Sequence, residues 1–197
     1  MIVLIDYDAG NTCSVMNALD RLGADYVLSD NADKIKGAEK VIFPGVGHAG
    51  AAMESLKLKG LDSVIKGLAQ PVLGICVGMQ LMAERSEEGD TSCLGIVPGT
   101  VTRFEPSDDY NVPHMGWNTT TPRIHDLVFE GIVDQAYFYY VHSYYMPDNR
   151  YCIATSDYDV TFAAAIRKDN FWGIQFHAEK SSKQGAQIIE NFLNLTD

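Results

Sequence analysis

The chain has 197 residues, 46% of them apolar, and a net charge of -11 from 26 acidic and 15 basic side chains. That length suits one domain with a sizeable core, and the apolar content argues against disorder. The acidic balance repels phosphate backbones and leaves no footprint for nucleic acid, and no apolar run approaches the length of a membrane span.

The opening "MIVLIDYDAG" has no charged segment ahead of its apolar run, and an acid follows within a few residues. It reads as a buried first strand over 2–6, not as a signal peptide. The stretch "GNTCSVMNALDRLG" then predicts a glycine turn and a helix, because Val15, Met16, Leu19 and Leu22 recur at helical spacing. A second strand follows in "ADYVLS", with 32–37 as a connector, and a third in "EKVIFPG", closed by Pro-Gly. Residues 49–69 predict a helix. "PVLGIC" is a fourth strand, and "GMQLMAERS" a helix straight after it. These strands are short, apolar at consecutive positions and separated by helical patterns. A mostly parallel sheet covered by helices is implied.

From residue 93 the pattern changes. "GTVTRF", "AYFYYVHSYY", "CIATSDY", "TFAAAIRKD" and "FWGIQFH" are closely spaced and rich in aromatic and β-branched residues. They predict antiparallel or mixed strands that extend the first sheet or lie over one edge. "QGAQIIENFLNL" is the closing helix. The expectation is one α/β domain over 1–197, three-layered, with an open, mostly parallel sheet. The four cysteines, at 13, 76, 93 and 152, have no metal-ligand spacing and no Cys-x-x-Cys pair. They read as reduced thiols in the cytoplasm.

Cys76 ends the fourth strand and is flanked two residues away on each side by Gly74 and Gly78. A nucleophile elbow needs this arrangement, because small neighbours let the backbone turn sharply. The following helix start would point amides and a positive dipole end at the sulfur and favour thiolate. Cys13, at the start of the first helix, is the second candidate. A thiolate that attacks an amide needs a proton donor for the leaving amine. "WGIQFHAEKS" supplies His177, with Glu179 two residues on and on the same side of an extended chain. The carboxylate orients the ring and the ring serves the sulfur. His142 is the strongest rival base; His114 and His48 are expected on loops and His125 on the surface. The third strand leads into "PGVGH", and in a parallel sheet that loop opens at the same edge as the elbow. Amides from Val46–Gly47 and from Val77 are placed to converge on a tetrahedral oxygen. No phosphate cradle is present, since Gly-Lys-Ser/Thr is missing and "DAGN" is not a dinucleotide fingerprint.

The motifs "DYDAGN" (6–11), "PGVG" (44–47), "GICVGMQLM" (74–82), "GIVPG" (95–99), "HMGWN" (114–118), "HSYY" (142–145) and "QFHAEKS" (175–181) together resemble class I, triad-type glutamine amidotransferases over nearly the whole chain. The opening, Gly-Trp-Asn and His-Ser-Tyr motifs are most similar to the glutaminase subunits of histidine biosynthesis. The resemblance implies Cys76 as nucleophile, His177 as base and acid, and Glu179 as its orienter. It implies Gly47 and Val77 as oxyanion amides, with a Val46 peptide that flips before the site is competent. Gln80, His142, Ser143 and Tyr144 would line the glutamine site, and Glu88 would meet the substrate ammonium. No metal or organic cofactor is implied. The implied partner is a (β/α)8-barrel cyclase that takes the ammonia to make imidazole glycerol phosphate, in a cytoplasmic heterodimer. Asn11, Tyr137 and Lys180 would contact it. One departure stands out: Ala178 occupies the place between histidine and glutamate where the family often has proline, so a looser backbone is expected there. A paralogous glutaminase feeding another synthase, such as a sugar-modifying enzyme, shares the same triad and stays open at this point. So do a stand-alone thiol hydrolase and a non-catalytic scaffold.

Overall fold

The computed structural model describes residues 1–8 and 11–196. The glycine turn expected at Gly10 lies outside them. The first half runs β1 (Ile2–Ile5), α1 (Thr12–Arg21), β2 (Tyr26–Ser29), α2 (Ala32–Lys36), β3 (Lys40–Gly45), α3 (Ala49–Leu58), α4 (Leu61–Lys66), β4 (Val72–Cys76) and α5 (Val77–Gln80). The second half runs β5 (Arg85–Ser86), β6 (Thr91–Ser92), β7 (Thr100–Arg103), β8 (His114–Pro122), β9 (Ala136–His142), β10 (Tyr144–Tyr145), β11 (Cys152–Tyr158), β12 (Val160–Lys168), β13 (Phe171–Ile174) and α6 (Ser182–Leu193).

Among the described residues one nine-stranded sheet has the order β2-β1-β3-β4-β13-β12-β11-β8-β9. The pairs from β2 to β13 are parallel, and those from β13 to β9 are antiparallel. β13 is therefore the hinge of the sheet's polarity. Consecutive residues Val3-Leu4-Ile5, Val41-Ile42-Phe43 and Val72-Leu73 are all buried. Neighbours on a strand point to opposite faces, so both faces of this parallel half are covered. A second sheet among the described residues has the order β10-β7-β5-β6. The mixed α/β architecture read from the sequence is present, with strands that both extend the first sheet and stand apart from it.

Four local expectations are corrected. Residues 32–36 form a helix, not a connector, because the Asn31 side chain accepts hydrogen bonds from the amides of Asp33 and Lys34 and Ile35 is buried beneath it. The helix expected over 49–69 is two, broken at Gly60, whose φ of 67° is left-handed. The helix after Cys76 stops at Gln80, and the chain turns back into β5. His114 stands in a nine-residue strand, β8, that the sequence pattern did not reveal.

Candidate active site

Cys76 ends β4 with φ 54° and ψ -113°, a left-handed conformation that a β-carbon disfavours. The surrounding backbone holds it there. β3 pairs with β4 so that Gly45 lies opposite Cys76. A β-carbon on Gly78 would stand 2.1 Å from the Phe43 carbonyl oxygen, and one on Gly45 would stand 2.4 Å from the Gly78 nitrogen. The elbow and the end of β3 thus touch backbone to backbone, which only glycine permits. α5 is a single turn, so its dipole is small. The positive group at the sulfur is instead His177.

β13 runs beside β4 with Ile174 opposite Ile75, so the residues just beyond it reach the same edge as Cys76. The His177 amide donates to the Tyr139 carbonyl at 2.9 Å, and its own carbonyl accepts from the Ser181 hydroxyl at 2.6 Å and the Lys180 amide at 3.0 Å. Those bonds pin the backbone around Ala178, where proline is absent. His177 Nδ1 meets Glu179 Oε1 at 2.8 Å, with both side chains buried. Oε2 of Glu179 has no hydrogen-bond partner among the described residues. The carboxylate is therefore devoted to the ring. Burial alone would depress the imidazole, but hydrogen bonds and charge from Cys76 and Glu179 outweigh it and raise its pKa to about 10. The ring is therefore an imidazolium at neutral pH.

A cavity of about 330 Å³ opens at this point. Cys76, Val77 and His177 line it, with Val46 and Gly47 from the loop after β3. Val77 is the first residue of α5, where amides lack intrahelical acceptors, and Gly47 has a left-handed φ of 87°. Gln80, Glu88, His142, Ser143, Tyr144 and Lys180 complete the wall. One oxygen of Glu88 accepts from the Ala49 amide at 2.7 Å, tying the wall to the start of α3. Asn11 and Tyr137 are not in the cavity. Asn11 caps α1 through Ser14, and Tyr137 is 60% exposed on β9.

The rivals fall away on contact. Cys13 is exposed on α1. His48 caps α3 by accepting from the Gly50 amide at 3.0 Å. His142 is buried, and burial, with further pressure from His114 and His177, brings its pKa down to about 3 despite a bond to the Tyr144 carbonyl. It stays neutral. Two residues escaped the sequence reading. Gln175, fully buried, donates to the Cys76 sulfur at 3.7 Å. Tyr7 donates to the Pro44 carbonyl at 2.7 Å, bracing the loop before Val46; burial first, then the Cys76 charge, pushes its hydroxyl pKa up. Its place in the quoted opening motif, at the active edge of β1, was the available signal.

The family model for glutamine amidotransferase class-I matches residues 3–195. The chain is 50% identical over 195 residues to the imidazole glycerol phosphate synthase subunit HisH of Bacteroides fragilis, covering 98% of this chain and 99% of that one. It is 46% identical over 192 residues to the same-named subunit of Haemophilus influenzae, covering 98% and 96%. In fold it is similar to PurLQS from Thermotoga maritima, with TM-score 0.69, 18% identity, and coverage of 98% and 97%. With a family match from the first strand to the last helix, this chain belongs to the class I glutamine amidotransferases.

Proposed function

We propose that this enzyme is the glutaminase subunit of an imidazole glycerol phosphate synthase, acting as a single domain through Cys76, His177 and Glu179. The observation that carries the reading is that Cys76, in a strained backbone at the end of β4, and His177, whose ring Glu179 holds at 2.8 Å, line one cavity together with Val46, Gly47 and Val77. The curated relatives bear that subunit's name at close to full coverage.

The chemistry follows from the charges. The thiolate attacks the side-chain amide carbon of glutamine, and the oxygen that becomes negative meets the amides of Val77 and Gly47. His177 gives its proton to the leaving nitrogen, ammonia departs, and a γ-glutamyl thioester remains. Acylation removes the sulfur's charge, one of the two influences that keep the imidazole protonated. The neutral ring now takes a proton from water, the hydroxide attacks the thioester, and glutamate leaves as the thiolate–imidazolium pair is restored. Glu88 takes the substrate ammonium, a pairing of opposite charges in a half-enclosed site. Gln80, His142, Ser143 and Tyr144 fix the rest of the glutamine.

The ammonia passes to a (β/α)8-barrel cyclase bound as a heterodimer, with Asn11, Tyr137 and Lys180 at the contact. No helix among the described residues is long and apolar enough to cross a membrane, and all four cysteines are free thiols, which suits the cytoplasm. The test is glutaminase activity with and without the histidine-pathway cyclase and its ligand. Stimulation by that partner, abolished in Cys76→Ala, is expected. Full activity without any partner would break the coupling, and stimulation only by another synthase would reassign it.

A further inference from the structure

Gln175 lies one residue beyond β13 and is aimed at the nucleophile, yet it contacts neither His177 nor the oxyanion loop through any bond described above. Its orientation is set from elsewhere. A carbonyl oxygen can only accept. Gln80 Nε2 meets the Tyr144 carbonyl at 2.8 Å, which fixes which end of the Gln80 amide carries the protons. The same Nε2 lies 3.0 Å from Gln175 Oε1, so the amide nitrogen of Gln175 must face the other way, toward Cys76.

The Tyr144 carbonyl takes a second donor from the far side, which fixes two histidines independently of the Gln80 amide. His142 Nδ1 meets the same Tyr144 carbonyl at 2.8 Å and so carries the proton. Its Nε2 then accepts, and His114 Nδ1, 2.9 Å away, must be the donor. That leaves His114 Nε2 as acceptor for the Asn118 amide at 3.4 Å, and Asn118 is independently oriented by donating to the Asp157 carbonyl at 2.9 Å. Each ring needs one N–H and one bare nitrogen. Burial keeps both neutral, with His114 down to about 4 and His142 to about 3. Gln175, Gln80, His114 and His142 are all buried.

We propose that Gln175 is a fixed hydrogen-bond donor to the attacking sulfur, held in that sense by Gln80, whose own amide is fixed by the Tyr144 carbonyl. This rests on Cys76 being the nucleophile. Gln175 cannot reverse without setting its amide protons against those of Gln80, and Gln80 cannot reverse without losing its bond to the Tyr144 carbonyl, so the sulfur is offered an N–H in every turnover. Gln175 touches the reacting atom, and Gln80 is the positioning residue that acts through it. The same carbonyl joins this pair of amides to the wall of the glutamine cavity, because Tyr144 lines it.

The experiment follows alkylation of Cys76 by iodoacetamide as a function of pH, read by mass spectrometry of the Cys76 peptide in the full chain. The titratable groups around this sulfur are His177 with Glu179 behind it, Tyr7, and His142, Glu88, Tyr144 and Lys180 of the shared cavity, and all are retained. In Gln175→Glu the side chain still accepts from Gln80 but offers the sulfur no N–H. Gln175→Met removes the donor without adding charge and carries the test if the buried carboxylate unfolds the chain. The expected result is an upward shift of the alkylation midpoint and a rate about tenfold lower at neutral pH, with glutaminase kcat falling and KM little changed. A wild-type midpoint in both variants overturns the proposal. A Cys76→Ala protein that still hydrolyses glutamine overturns the nucleophile itself, whatever the Gln175 variants do.

Discussion

At the residue scale the informative pair is His177 and Glu179. His177 titrates near 10 in the folded chain against 6.5 when exposed. Its pairing therefore stabilises the fold fully below pH 6.5 and loses that contribution as the pH climbs toward 10. Thermal unfolding measured across that window should show a falling midpoint. In Glu179→Gln the fall should be shallower, and kcat should drop by about 100-fold because the imidazolium loses its counter-charge. Cys76→Ala removes the other influence, so the His177 ring, followed by NMR, should titrate well below 10. An unmoved titration would mean that the sulfur and the ring do not communicate. These residues were legible because Gly-x-Cys-x-Gly and His-x-Glu are local patterns at strand ends. Gln175 was not, since its partner Gln80 lies 95 positions away and no spacing announces it.

At the element scale the elbow depends on two glycines for different reasons. Gly78 has no room, because its β-carbon would strike the Phe43 carbonyl. Gly47 has open space but a left-handed backbone. Gly78→Ala should cost about 1–3 kcal/mol of stability by forcing β3 and β4 apart, and activity should vanish with it. Gly47→Ala should cost about 1–2 kcal/mol through backbone strain while leaving the core intact, so kcat falls in a protein that still unfolds cooperatively. Denaturant titration beside a glutaminase assay separates the two. The apolar strands were legible for the reason that both their faces are buried. β8 was not: Met115 and Trp117 face outward and its threonines dilute the alternation, so "HMGWNTTTP" has no apolar run. α2 was missed because one buried side chain, Ile35, makes no periodicity; only its Asn31 cap marks it.

At the scale of the whole molecule, the ribbon of β8 and β9 is two-faced. His114, Thr120, Phe138 and Tyr140 are buried, while Met115, Trp117 and Tyr137 are exposed on the opposite side, and β9 is the sheet's outer edge. Val141 on this ribbon also lines the cavity. Tyr137→Ala should leave unfolding within about 0.5 kcal/mol of wild type yet weaken cyclase binding by about tenfold or more, measured by titration calorimetry. Equal affinity would move the contact off this ribbon. The mixed sheet itself was legible only as a change of texture after residue 93, since pairing between distant strands leaves no mark in either strand alone.

β13 is threaded between β4 and β12, which are laid down far earlier and just before it in the chain. Until the ribosome has delivered that stretch, no strand can join the parallel half of the sheet to its antiparallel half. The thiol at Cys76 then has no imidazole to face. The pairing of a single short segment thus both joins the two halves of the sheet and brings His177 to the edge where Cys76 stands.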